Sequence, residues 1–289
     1  MVLDQYTASM ANKICGTAFA SLLLCISACA QPPAPEPAAA PTTPAATAFP
    51  SGTLVDLSHT FDKTTIFWPT AESFRLDKVA DGVTPDGYYY AANNFFTSEH
   101  GGTHLDAPVH FAKGAQTVDQ IPLERLFGEA YIVDVTAKAD ASADYQVTAD
   151  DIQQAERTQG TIPAGAIVLL RTGFSRRWPD AVRYLGTAQR GADAVKQLHF
   201  PGLHPDAARW LVANRQMKAV GVDTASIDYG QSTLYESHRV LYERMVPAFE
   251  NLTNLDRLPT RGAYVVALPM KIGGGSGAPL RAVAIVPAQ

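Results

Sequence analysis

The chain has 289 residues, 46% of them hydrophobic and 18% charged, a balance that builds a sizeable core and argues against disorder. Its 28 acids outnumber its 23 lysines and arginines, for a formal net charge of -5; nothing in this balance suits neutralising phosphates, so small molecules are expected as partners and nucleic acid is not. Cys15, Cys25 and Cys29 all lie near the N-terminus, so the rest of the chain has no internal disulfide, and any metal there must be held by His, Asp and Glu.

Residues 14–28 are almost wholly apolar or small and too few for a membrane span of about 20 residues, so they read as the hydrophobic region of a signal peptide, preceded by Lys13. Ile26-Ser27-Ala28-Cys29 resembles the lipobox of bacterial lipoproteins, where cleavage before the cysteine frees it for acylation. Cys29 is therefore the candidate lipid anchor; the alternative is a plain signal peptide cut at a small residue such as Ala28 or Ala30. Both readings export the chain, to the periplasm or to a membrane anchor. Residues 30–50, rich in Pro, Ala and Thr, form an extended spacer, and 51–289 read as one domain.

Within that domain, β-branched or aromatic runs bounded by turn residues predict strands at 53–57, 93–97, 131–135, 166–171, 219–223, 264–268 and 282–286. Most are apolar throughout, as in a buried sheet. Thr148 followed by early acids opens a helix running to Gln159; His204-Pro205-Asp206 opens another, ending near Asn214. A third runs from about Ser237 through Val246, where Pro247 interrupts it. The pattern is mixed α/β.

The segment 100–110 carries the chemistry. His100, His104, Asp106 and His110 share even numbering, so an extended backbone would project all four towards one side. Gly101, Gly102 and Pro108 disfavour the competing helix and let the backbone curl tightly. Imidazoles and a carboxylate suit Zn, Mn or Fe, and an ion with open positions lowers the pKa of bound water to about 7. A histidine not used as a ligand is free to move protons.

This segment resembles the motif His-x-Gly-Thr-His-x-Asp-x-Pro-x-His-Phe of the metal-dependent cyclase family, which includes bacterial kynurenine formamidases and isatin hydrolases. It matches at every defined position from His100 to Phe111. The likeness continues from Asp56-Leu-Ser-His, through Phe200-Pro-Gly-Leu and Gly221-Val-Asp-Thr, to 274–283.

The resemblance implies a swivelling β/β/α fold in a single mixed-sheet domain, and often a homodimer that supplies part of the pocket. It implies His100, His104 and Asp106 as ligands of one divalent ion, Zn or Mn, with Asp106 bridging to a second held by His238 and Glu250, and His110 as general acid/base. One or two ions are therefore expected. Phe67-Trp68-Pro69 stands where formamidase-like members place an aromatic segment facing the substrate; the alternative is a core aromatic pair under a loop.

The implied activity is hydrolysis of an amide, lactam or lactone in a small aromatic substrate, arylformamidase-like, with an isatin-hydrolase-like specificity as the alternative. A metal-retaining binding lipoprotein is the non-enzymatic reading. His59, His199 and His204 read as structural. Asp223 and Asp228, at and beyond the end of an apolar strand, either touch the site or satisfy backbone groups there, turn chemistry being the commoner outcome. The glycine-rich 273–278 reads as a tight loop, with the active-site rim as its expected place, because Pro279 removes the helix that a dinucleotide fingerprint needs.

Overall fold

A computed structural model describes residues 50–288. The leader and Cys29 fall outside them. In chain order the strands are β1 (Thr53–Asp56), β2 (Arg75–Val83), β3 (Tyr89–Phe96), β4 (His104–Asp106), β5 (Phe127–Asp134), β6 (Gln146–Val147), β7 (Ile167–Arg171), β8 (Gly202–Leu203), β9 (Ala219–Val222), β10 (Ala248–Glu250), β11 (Tyr264–Pro269) and β12 (Gly277–Val286). The helices are α1 (Thr136–Ala141), α2 (Ala149–Gln159), α3 (Ala181–Leu185), α4 (Ala192–Val195), α5 (Pro205–Asn214) and α6 (Glu236–Tyr242).

Eight strands form one mixed sheet in the order β1-β12-β11-β5-β7-β9-β10-β4, with neighbours from β5 to β10 parallel. β4 pairs with β10 on one side and with the first residues of β12 on the other, so the sheet curls back on itself like a barrel. Strand alternation explains the unbroken apolar runs. Ile167 and Leu169 join Leu105, Ile132 and Phe249 on one face, while Val168 and Leu170 join Val133 and Val220 on the other, beneath α2, α5 and α6. Each such side chain contributes about 1.5–3 kcal/mol by leaving water, so a polar residue on either face would be costly.

Two helices start where their caps dictate. The Thr148 hydroxyl accepts from Asp151 N–H at 3.2 Å and Asp151 accepts from Thr148 N–H at 2.8 Å, closing a reciprocal box on α2. The His204 ring accepts from Asp206 N–H at 3.1 Å ahead of α5. The third helix is shorter than expected. α6 stops at Tyr242 because Met245 takes a left-handed conformation (φ 56°) and Val246 N–H folds back onto the Leu241 carbonyl, before Pro247 is reached.

The strand expected at 93–97 is the end of β3, which stops at Phe96 and pairs only with β2 in a separate hairpin whose side chains face outward, with Leu76, Tyr89 and Phe95 all more than half exposed. Aromatic content alone resembles a core strand; pairing with a solvent-facing partner decides otherwise.

Candidate metal centre

The strand expected across 100–110 is three local structures instead. Gly102 turns left-handed (φ 56°), His104–Asp106 forms β4, and Pro108–His110 makes one 3-10 turn. Gly101 bridges the backbone of Phe67, whose ring would lie 2.0 Å from any Cβ at that position, so only glycine lets the two segments meet. All four expected side chains still converge, through turns rather than a single extended run.

Register completes the site. β4 sets His104 opposite Glu250 and Leu105 opposite Phe249. Alternation then sends His104, Asp106 and Glu250 to one side, and Leu105 and Phe249 into the core. α6 supplies His238, whose Nε2 lies 3.1 Å from Glu250 Oε1 and 3.4 Å from Asp106 Oδ2. The ligand atoms that cluster are His104 with Asp106 and Glu250, and His100 with Asp106 and His110. Asp106 is common to both sets. His100 and His104, expected on one ion, fall in different sets.

His104 tests whether these residues suit a cation. Its Nδ1 hydrogen bonds the Gly102 carbonyl at 2.9 Å, which leaves the lone pair on Nε2. That buried Nε2 has no hydrogen-bond partner, yet it lies 3.1 Å from Asp106 Oδ1 and 3.4 Å from Glu250 Oε2. An orphaned nitrogen between two buried carboxylates is costly unless a cation sits among them, and this nitrogen and oxygen donor set suits Zn or Mn.

The buried carboxylates give the cluster a negative charge that either a cation or protons on the histidines would balance. Burial opposes a charge on His104, but Asp106 and Glu250 push it up to about 9. Burial likewise opposes a charge on His238, and Asp106, Asp228 and Glu250 together hold it well above its ordinary value. For Asp106 burial favours the neutral form, yet the surrounding histidines keep the carboxyl well below the usual range.

Several supporting residues were not legible as such. Asp228, left open between the site and a turn, accepts from His238 Nδ1 at 2.5 Å and from the backbone N–H of His238 at 3.1 Å and of Ser237 at 3.2 Å. Tyr242 donates to Asp106 Oδ2 at 2.8 Å, and Ile227 N–H to Glu250 Oε1 at 2.7 Å. His100 lies 2.7 Å from Asp106 through Nδ1 and 2.8 Å from the Ser276 hydroxyl through Nε2, and Glu99 accepts from that hydroxyl at 2.6 Å. The glycine-rich loop thus borders the site. Only buried polar character in three dimensions separates these residues from ordinary turn chemistry.

His110 stacks on His100 with ring centroids 3.8 Å apart. Burial lowers His110 to about 4 against the attraction of Asp106, and His100, His238 and His104 add to the lowering. It is therefore neutral at pH 7.

A cavity of about 360 Å³ opens onto the cluster, walled by Phe67, Trp68, Phe111 and Tyr235. Phe67 is buried to 2% exposure and serves the core as well as the wall, whereas Trp68 meets Tyr235 edge-on at 6.4 Å. Tyr235, which nothing in the sequence singled out, is held left-handed (φ 49°) just ahead of α6. The remaining histidines lie apart: His59 stacks on Trp178 at 4.1 Å, His199 pairs with Asp144 at 2.8 Å, and His204 caps α5. Asp223 accepts from the Thr172 and Gly173 N–H groups at 2.8 Å each, satisfying backbone beyond the end of the neighbouring β7.

Residues 55–229 match the Cyclase family model. The isatin hydrolase of Roseibium aggregatum is 30% identical over 246 residues, 82% of this chain and 88% of that protein. The kynurenine formamidase of Salinibacter ruber is 30% identical over 230 residues, 80% of this chain and 96% of that protein. Among solved structures, isatin hydrolase A from Ralstonia solanacearum superposes with a TM-score of 0.73 at 34% identity, covering 81% of this chain and 92% of that one.

Proposed function

Because the chain belongs to the Cyclase family, we propose that it is a divalent-metal-dependent hydrolase that cleaves a carbon–nitrogen amide bond of a small aromatic substrate. The observation that carries this reading is Asp106, shared by two sets of ligand atoms at the floor of an aromatic-walled cavity. His104, Asp106 and Glu250, with His100 and His238, would hold Zn or Mn as one or two ions. A divalent ion there supplies Lewis acidity, polarising a carbonyl and lowering the pKa of water.

The chain's own residues do the rest. Trp68, Phe111 and Tyr235 bind and orient a flat ring, leaving its carbonyl towards the polar floor. His110, neutral at working pH, accepts a proton from the attacking water and returns it to the departing nitrogen as the carbon–nitrogen bond breaks. The products are a carboxylate and an amine, joined in one molecule when the substrate is a ring. Arylformamide cleavage is the specificity implied by the motif; the isatin hydrolases among the relatives favour opening of a cyclic amide.

Export and lipid anchoring at Cys29, with 30–50 as the tether to the domain at 51–289, belong to the same proposal, and they place the substrate outside the cytoplasm. So does a homodimer through the β2–β3 hairpin, on which Leu76 pairs with Phe95 and Val83 with Tyr89, all four more than half exposed.

The test is hydrolysis of isatin and of N-formylated arylamines by the purified chain. Activity on at least one class should disappear with a chelator and return with Zn or Mn. His110→Gln should retain the metal and lose about 10²- to 10⁴-fold in kcat. A metal-loaded chain inert towards both classes contradicts the proposal.

A further inference from the structure

A second cleft lies at the other end of the parallel strands. Three of its lining residues, Gly165, Lys218 and Val246, lie within two residues of the start of β7, β9 and β10, whereas Glu250 closes β10 at the metal cluster. The cleft measures about 470 Å³, within the range of small-molecule sites.

Its charge is one-sided. Of nine lining residues four are cations, Arg125, Arg215, Lys218 and Arg244, and none is an acid, on a chain whose net charge is -5. Only Arg215 is neutralised, by a bidentate pair with Glu156 at 2.6 Å through both contacts. Arg125 and Lys218 direct donors at main-chain carbonyls, Arg125 to Lys218 at 3.4 Å and Lys218 to Phe127 at 2.7 Å. Neither forms an ion pair among the described residues, and Arg244 makes no side-chain hydrogen bond among them. Arg125 and Lys218 are half-buried, so their charges are held at the cleft and are less screened than those of free surface lysines.

We propose that this cleft binds a small phosphate-bearing anion. Three uncompensated cations from separate segments of the chain offer the donors an anion needs, and the planar forks of Arg125 and Arg244 match phosphate oxygens in pairs. Met217 and Val246 give the cleft an apolar part that suits an organic body attached to the phosphate. The anion has two candidate sources, a soluble phosphate compound and the headgroup of an anionic lipid, and both present the same chemistry.

The experiment is calorimetric titration of the metal-loaded full chain with inorganic phosphate at low ionic strength, for wild type and Arg125→Gln/Arg244→Gln. Saturable binding weakened at least tenfold in the double variant is the expected result, with hydrolysis unchanged to show that the variant is folded. Should that variant fail to fold, Arg244→Gln, at an exposed position, carries the same comparison. Co-sedimentation with phosphatidylglycerol vesicles in excess of phosphatidylcholine vesicles, lost in the variant, assigns the lipid source; phosphate binding without it assigns a soluble one. Phosphate held at the metal centre would survive both substitutions. Binding unchanged in the variants, or no binding of either probe, overturns the proposal.

Discussion

His238 shows how one residue depends on another that has no contact with substrate. Its Nδ1 is fixed by Asp228 at 2.5 Å, which turns Nε2 towards Glu250 and Asp106. Such an outer carboxylate orients a ligand histidine and raises its basicity. Asp228→Asn should therefore lower metal affinity about 10- to 100-fold, read by competition with a chromogenic chelator, while leaving the fold intact. Unchanged affinity would make Asp228 a turn residue after all. The sequence displayed His100, His104, Asp106 and His110 because four metal-competent side chains fell within eleven residues. It left Asp228 open between the site and a turn and did not display Tyr242 or Tyr235, since a lone Asp or Tyr is common in turns and cores, and their roles arise only from what α6 packs against.

Elements with local signals were legible, and elements made by pairing were not. α2 and α5 carry their caps in the sequence; β4 and β10 are three residues each and exist because they face one another in register. The partner of β3 was not legible for a related reason, since nothing local tells which strand it will join. Asp151 gives the most direct test of a local signal. It closes the Thr148 box and also accepts from Tyr145 at 2.7 Å and from Lys138. Asp151→Ala should cost about 1–3 kcal/mol in urea unfolding. Burial favours the protonated form, but the Lys138, Thr148 and Tyr145 hydrogen bonds hold the Asp151 carboxyl below its ordinary value. Its contribution is thus present above the unfolded value near 3.8 and lost as pH falls through the lower folded value. Wild type and variant should accordingly converge in stability in acid; a gap that persists unchanged to the lowest pH at which the protein folds contradicts this reading.

At the scale of the molecule, closure of the sheet through β4 joins the candidate metal-binding segment near residue 100 to Glu250 and to the loop before β12. The hairpin stands outside that closure. If it joins two copies, Tyr89→Asp/Phe95→Asp should shift sedimentation from dimer to monomer; a wild-type chain that sediments as a monomer at all concentrations removes the dimer from the account. The central claim is the cation at Asp106, and elemental analysis of the purified chain tests it most directly. One or two equivalents of Zn or Mn per chain, largely lost in His104→Ala, is the result predicted. No metal in the wild type, even after reconstitution with either ion, would contradict it.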